Sequence, residues 1–397
     1  MPIKNYEPRL IRWYNRWVPN KDIEYHQMID KAQKKIEGFY FDSAFVERLR
    51  RLCQSVNEEA ALHPFGRFML KERLSGILLN HLRAKQYLKQ NPSILKEIIA
   101  PPILITGLQR TGTTYLQRLL GATPEHRALQ SWEALNPIPF SSAKDPQKRI
   151  RIALNSQRAL RYISPIFFSI HPVEYNSPEE EILLNDMTLL SAVHEATMHV
   201  PSYAAWLSKQ DHRISYEWMR NMLQVLQFGQ KSATWVLKTP QHLEYMDVVC
   251  EQFPHSLIIH LHRQPIECLP SFCSMVYHSR RIFSHQVNPK EVAQHWLQKN
   301  ASMLKKTLAI RAQNSDQQFM DIYYSDLVKA PLETVQKIYH KVGKAWTPSV
   351  ESAVLNATQK HQKNKYGKHH YSLEDYGLHQ KSIEEQFSFY INHYFSS

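Results

Sequence analysis

The 397-residue chain has no long apolar run: its purely apolar stretches are a few residues each, such as Ile103–Ile105 and Leu257–Ile259. A bilayer-spanning helix needs about 20 such residues, so no span is predicted. The N-terminus MPIKNYEPRLIRWYNRW lacks an apolar segment before a small-residue cleavage site, which argues against a secretory signal and for a cytoplasmic chain. Cysteine is scarce. Cys53, Cys250, Cys268 and Cys273 form no C-x-x-C pair and lie in apolar or helical contexts, against a disulfide framework or a structural zinc site. Acidic residues are also short: 36 Asp and Glu face 49 Lys and Arg, a formal net charge of +13. That surplus points to an anionic ligand or surface. Nucleic acid is not the expected partner, because zinc-finger spacing, an RNP-type aromatic motif and a basic heptad region are all missing. With 43% hydrophobic residues and 21% charged, the chain can bury a core, and disorder is excluded.

Glycine is scarce as well. There are only 10, so few positions can take a positive φ cheaply, and three of them fall between Gly107 and Gly121. They follow PPILIT, which reads as a short buried strand, and precede YLQRLL, whose leucines have helical spacing. A strand, a glycine loop and a helix start make an anion cradle, because backbone N–H groups and the helix dipole point at the same ligand. The loop GLQRTGTT, Gly107 to Thr114, fits the phosphate-loop pattern G-x-x-x-x-G-K-[ST] except at Thr113, where the lysine belongs. Without that lysine or a convincing acidic strand for magnesium, a P-loop kinase or nucleotidase using Mg-ATP is the weaker alternative. The loop's cation is Arg110 instead.

Residues 1–97 read as a helical N-terminal extension packing on a core formed by 98–397. From Pro101 onward short apolar strands alternate with helices, predicting an α/β class: a three-layer P-loop-type fold with a central parallel sheet flanked by helices. Trp235–Leu237 and Leu257–Leu261 read as two strands of one βαβ unit, with Thr239 and Pro240 starting the helix between them. Lys238 and Arg263 then end two strands on the same edge of the sheet. Phe319–Tyr323 is a further strand. In HRQPIECLPS, Arg263 ends a strand and Ser271 follows on a helix begun by Pro265, so both can face one anion. The run QKHQKNKYGKHH carries Lys360, Lys363, Lys365 and Lys368 with no acid, and Gly367 permits close backbone approach.

Together PPILITGLQRTGTTYLQRLL, WVLKTPQHLEYMDVVCEQFPHSLIIHLHRQP and KNKYGKHHYSLEDYGL resemble the bacterial-type sulfotransferases that use 3′-phosphoadenosine-5′-phosphosulfate (PAPS), over roughly residues 101 to 390. The resemblance implies that Gly107, Thr111, Gly112, Thr113 and Thr114 hold the 5′-phosphosulfate with Arg110 as the essential cation. It places Arg263 and Ser271 on the 3′-phosphate, Lys365, Gly367 and Lys368 in a loop closing over it, and Tyr115 and Tyr324 near the adenine. Family members commonly have Asp where Gln264 stands, and Pro and Ser where Gln109 and Thr111 stand; neither change removes an anion donor.

Sulfonyl transfer to an alcohol needs a base, a cation on the leaving oxygen and in-line positioning, but no covalent intermediate and no metal. Lys238, in a Lys-Thr pair like that of related enzymes, suits the leaving oxygen. For the base, Glu133 comes first, because carbohydrate-sulfotransferase relatives carry a Glu at about that distance after the loop cation. His242, four residues after Lys238, competes; His171 and Glu179 to Glu181 are weaker candidates. The acceptor is a sugar, lipid or small alcohol, held among aromatic residues such as Phe167, Phe168, Tyr203 and Trp206. A non-catalytic anion binder is the remaining alternative. Arg9 to Trp17, with three Arg and two Trp, allows peripheral contact with an anionic membrane.

Overall fold

The computed structural model describes residues 6–140, 146–314, 316–360 and 372–396. Four helices come first: α1 (Arg9–Trp17), α2 (Tyr25–Lys35), α3 (Ser43–Glu59) and α4 (Pro64–Gln90). Local chemistry starts them. Asp42 accepts the Phe45 N–H at 2.7 Å to cap α3, and Pro64 opens α4 while His63 Nδ1 accepts the Gly66 N–H at 2.8 Å. The buried stripe Phe45, Leu49, Leu52 and Val56 of α3 meets Leu70, Leu74 and Leu78 of α4 and then Leu189, Leu190, Tyr203 and Leu207. The N-terminal helices therefore share a core with residues 189–207 of the later chain.

Five strands form one sheet: β1 (Ile103–Gly107), β2 (His126–Ala128), β3 (Thr234–Lys238), β4 (Leu257–His262) and β5 (Phe319–Tyr323). They run parallel in the order β2-β3-β1-β4-β5, with Ile103 in register with both Val236 and Leu257. Both faces are covered. Ile103, Ile105, Val236, Ile259 and Leu261 point to a core shared with Leu116, Leu119, Val335 and Ile338; Leu104, Trp235, Leu237 and Ile258 point to one shared with Met219, Leu223, Met246 and Val249. That alternation is the three-layer α/β sandwich expected for a P-loop-type fold.

Two details refine the sequence reading. β1 sits between β3 and β4, so the glycine loop, rather than a direct strand neighbour, separates Lys238 from Arg263. The stripe after Thr239 is split into a 3₁₀ turn, Pro240–Leu243, and a helix, Met246–Gln252. Strand β2 went unpredicted, because its His-Arg-Ala sequence carries no apolar alternation and only three residues pair.

Five histidines make the fold acid-sensitive. His63, His81, His126, His171 and His212 are each pushed down to about 4, chiefly by burial. Because their folded values lie below the ordinary imidazole value, protons bind the unfolded chain first and stability is lost as pH falls from about 6.5 towards 4. Urea unfolding at pH 5 is expected to show at least about 2 kcal/mol less stability than at pH 7.5; equal midpoints would show that these rings titrate normally.

Candidate active site

In a parallel sheet every strand ends on one edge, which gathers Gly107, Lys238 and Arg263 at the same rim. The loop after β1 is built by three residues with positive φ. Gly107 has φ 146°, and a Cβ there would lie 2.6 Å from the Leu261 carbonyl oxygen of β4. Gly112, φ 92°, heads helix α5 (Thr113–Leu120), and a Cβ there would lie 2.9 Å from the Tyr324 ring. Between them Arg110 holds φ 73°, a left-handed backbone that a side-chain-bearing residue adopts at a cost. Thr111 Oγ1 donates to the Leu108 carbonyl at 2.6 Å, tightening the turn, and Thr113 and Thr114 present the first N–H groups of α5. Gly107→Ala is expected to cost about 2 kcal/mol or more in urea unfolding, since both the contact and the φ oppose it.

The loop cation joins the residues read as the second anion site. Arg110 Nε donates to Ser271 Oγ at 3.1 Å, and its Nη1 lies 3.5 Å from the Ile170 carbonyl. Arg263 Nη1 donates to the Arg110 carbonyl at 2.9 Å, and its guanidinium stacks 4.2 Å from the Tyr324 ring centroid. Arg263 Nε also reaches Glu267 at 3.3 Å, a pair open to water. Ser271 is buried on the helix Pro265–Arg281, which Pro265 starts as expected. Arg110, Ser271, Arg263 and Tyr324 thus form one connected floor beside Gly112. Tyr115 packs against the core on the α5 face of the sheet. Lys365, Gly367 and Lys368 lie outside the described residues.

Lys238 is buried at the end of β3, with its ammonium ion-paired to Glu180. Thr239 Oγ1 donates to the other Glu180 oxygen at 3.2 Å, and the Lys238 N–H donates to Glu181 at 2.7 Å. The acidic run therefore faces the Lys-Thr pair, a link that 58 residues of separation hid from the sequence. Burial, reinforced by the neighbouring Glu180 charge, holds the Glu179 carboxyl above its ordinary range.

The candidate bases occupy different settings. Glu133 lies in helix α6 (Ser131–Leu135), where it accepts the Gln130 N–H at 3.0 Å in a capping box and pairs with Arg127 at 2.6 Å. Arg127 in turn lies 4.4 Å from the Trp235 ring centroid, so the Glu133 carboxylate is buried and committed to the frame. His242 is buried, its Nδ1 3.0 Å from the Tyr216 hydroxyl. Its Nε2 lies 2.8 Å from Glu181, close in distance but not aligned as a hydrogen bond. His171 follows helices α7 (Pro146–Ile163) and α8 (Pro165–Ile170), whose last carbonyl accepts from Arg110. Burial pushes it down to about 4; the Glu180 charge opposes this, while Lys238, Arg110 and Arg118 add to it. It is a neutral imidazole at pH 7 within the field of Lys238, Glu180 and Arg110.

The expected aromatic lining divides. Phe168 is buried on α8, next to His171 in the chain, with Phe167 5.9 Å from the His171 ring. Tyr203 and Trp206 instead brace the N-terminal helices: the Tyr203 hydroxyl donates to the Leu189 carbonyl at 2.5 Å, and Arg51 lies 5.2 Å from the Trp206 ring centroid.

One trio among the described residues, His260, His262 and Asp321, has ligand atoms within 4.8 Å of one another. Asp321 is forked by Arg311 at 2.6 and 2.8 Å, and His262 Nδ1 lies 2.8 Å from the Tyr390 hydroxyl, so the group clamps the C-terminal helix to β4 and β5 around a cation the chain already supplies.

A glycine phosphate loop on a five-stranded parallel sheet, with arginines and a lysine gathered at its rim, defines the class to which comparison assigns the chain. Residues 101–348 match the model of the sulfotransferase family, and the chain belongs to that family. The solved sulfotransferase STF1 from Mycobacterium tuberculosis is 30% identical and superposes with a TM-score of 0.82, covering 93% of this chain and 100% of that one. Sulfotransferase STF9 from Mycobacterium avium shares the fold, at 22% identity and a TM-score of 0.85 over 96% of this chain and 99% of its own. Among curated proteins, the omega-hydroxy-beta-dihydromenaquinone-9 sulfotransferase of Mycobacterium bovis is 24% identical over 264 residues, 63% of this chain. The match spans 65% of that relative's length.

Proposed function

We propose that this chain transfers a sulfonyl group from PAPS to the hydroxyl of an alcohol acceptor. The observation that carries the reading is the joined floor of Arg110, Ser271 and Arg263 on a glycine loop whose Gly107 cannot accept a Cβ. The donor, when bound, supplies an activated sulfonyl group whose S–O bond to the 5′-phosphate breaks as the acceptor oxygen bonds to sulfur. The residues fit an anion with phosphates at two ends. The N–H groups of Gly112 to Thr114 and Arg110 suit the reacting end; Arg263 and Ser271 suit the other, with Tyr324 offering an aromatic face beside Arg263. Lys238 suits the developing charge on the leaving oxygen, exchanging its Glu180 contact for that anion. These cations supply the charge compensation, so the transfer is proposed as independent of metal. An Mg-ATP kinase reading is disfavoured by Thr113 at the lysine position and by Lys238 being held by Glu180.

His171, rather than Glu133 or His242, takes the acceptor proton in this scheme. It is neutral at working pH, and its ring makes no hydrogen bond among the described residues. His171→Ala is expected to lower kcat about 10²- to 10⁴-fold with little change in binding of 3′,5′-adenosine bisphosphate, whereas Glu133→Gln lowers thermal stability first. For the wild-type chain kcat/KM should stay flat from pH 7 to pH 5.5, because a base near 4 remains unprotonated there. A fall centred near pH 6.5, or full activity of His171→Ala, would remove His171 from this role. The overall reading is tested by incubating the chain with ³⁵S-labelled PAPS and a panel of lipid, sugar and small alcohols. Label transfer without added metal is expected; phosphoryl transfer from Mg-ATP to the same panel would replace the reading.

The acceptor class remains an alcohol. The sulfotransferase of Mycobacterium bovis is named for a hydroxylated dihydromenaquinone, and the apolar residues of α8 beside His171 suit a lipid-like alcohol here too.

A further inference from the structure

Helix α1 turns its apolar side outward. Leu10, Trp13 and Trp17, spaced three and four residues apart, share one face and are 70%, 62% and 64% exposed. Its opposite side is already anchored: Ile11 is buried, the Tyr14 ring meets Phe65 at 5.6 Å and Phe68 at 6.0 Å, and Asn15 accepts the Phe65 N–H at 2.9 Å. Tyr6 before the helix and Phe68 beside Tyr14 are also exposed. Arg9, Arg12 and Arg16 flank it, and the helix contains no acid. The nearby Glu7 is held by His285 at 3.0 Å and lies 3.7 Å from Arg12. A rigidly mounted helix with two tryptophans and a leucine outward, arginines alongside and no acid has the chemistry of the boundary between anionic headgroups and acyl chains. A second protein would have to cover three arginines as well as the tryptophans, whereas anionic lipid complements both.

We propose that α1 docks this protein on an anionic lipid bilayer, lying in the interface with Leu10, Trp13 and Trp17 inserted. No described helix is long and apolar enough to cross a membrane, so the attachment is peripheral. The placement has a functional direction. The cleft beneath the start of α1 is lined by Ile11, Ile166 and Ile282 together with the polar side chains of Glu7, Arg281 and His285. Its walls come from α8 and the helix Pro265–Arg281, the same two elements that contact Arg110 through Ile170 and Ser271. Ser271 and Tyr277 are six residues apart on one helix, about 9 Å along its axis. Docking therefore sets the bilayer beside two helices that also contact the loop cation. That consequence rests on the transferase reading; the docking does not.

The test is vesicle co-sedimentation of the full chain without any cofactor, using phosphatidylcholine vesicles with and without phosphatidylglycerol. The expected result is binding to the phosphatidylglycerol-containing vesicles that weakens with salt. The affinity should fall at least about tenfold in Trp13→Ser/Trp17→Ser and, separately, in Arg9→Ser/Arg16→Ser. All four side chains are exposed, so both variants keep the wild-type melting temperature. Absence of wild-type binding, or equal binding by the tryptophan variant, overturns the proposal. So does a concentration-dependent dimer in sedimentation equilibrium that the tryptophan variant abolishes while vesicles are ignored. Because no turnover is measured, a failed docking result leaves the sulfonyl-transfer reading standing, and the reverse holds equally.

Discussion

Arg110→Ala is expected to lower kcat/KM for PAPS by about 10³ or more while leaving the fold intact. The guanidinium is the loop's only side-chain cation and it touches Ser271, so its loss removes charge from the reacting end and a contact that positions the other. The backbone carbonyl that Arg263 grips survives the substitution, which keeps Arg263 in place. Arg110→Lys should recover only a small part of the activity, since a point ammonium cannot reach Ser271 and the Ile170 carbonyl as a fork does. Steady-state kinetics on both variants, with circular dichroism as a control for folding, checks this. Activity within about threefold of wild type in the alanine variant would mean that the loop cation is not used.

The second large effect concerns Lys238. Lys238→Ala is expected to lower kcat by about 10² to 10⁴, because it removes the ammonium that stands at the end of β3 to meet the leaving oxygen. It should also lower stability by about 2 kcal/mol, since the Glu180 carboxylate loses its partner. The two effects separate in Lys238→Ala/Glu180→Gln, where stability returns and turnover does not. If the double variant recovered activity, Lys238 would be a structural partner of Glu180 and no more.

What could be read beforehand followed from local signals. The strands β1, β3 and β4 announce themselves as apolar runs bounded by Pro, Lys-Thr or His-Arg, and the glycine loop stands out because glycine is rare elsewhere. Lys238 and Arg263 lie at strand ends, Arg110 in the glycine loop and Ser271 in the helix that Pro265 starts, placements that the sequence spacing shows. The proposed base is harder to read. Glu133 sits at a family-like distance from Arg110, yet its capping geometry and its pairing with Arg127 depend on β2, a strand too short and polar to be legible. His171 was one of 21 histidines, and nothing in its neighbours shows that α8 carries it back to Arg110. The Lys238–Glu180 pair likewise arises from tertiary folding across a long stretch of chain. That β1 enters the sheet between β3 and β4 is not legible in the sequence, because a crossover fixes the direction of two strands and not whether a third lies between them.

The most direct measurement is calorimetric titration of the purified chain with 3′,5′-adenosine bisphosphate, beside a titration with Mg-ATP. The joined floor of Arg110, Ser271 and Arg263 predicts micromolar binding of the bisphosphate without metal, abolished in Arg263→Ala. Preferential binding of Mg-ATP, or bisphosphate affinity unchanged in Arg263→Ala, would contradict the assignment of this rim to PAPS.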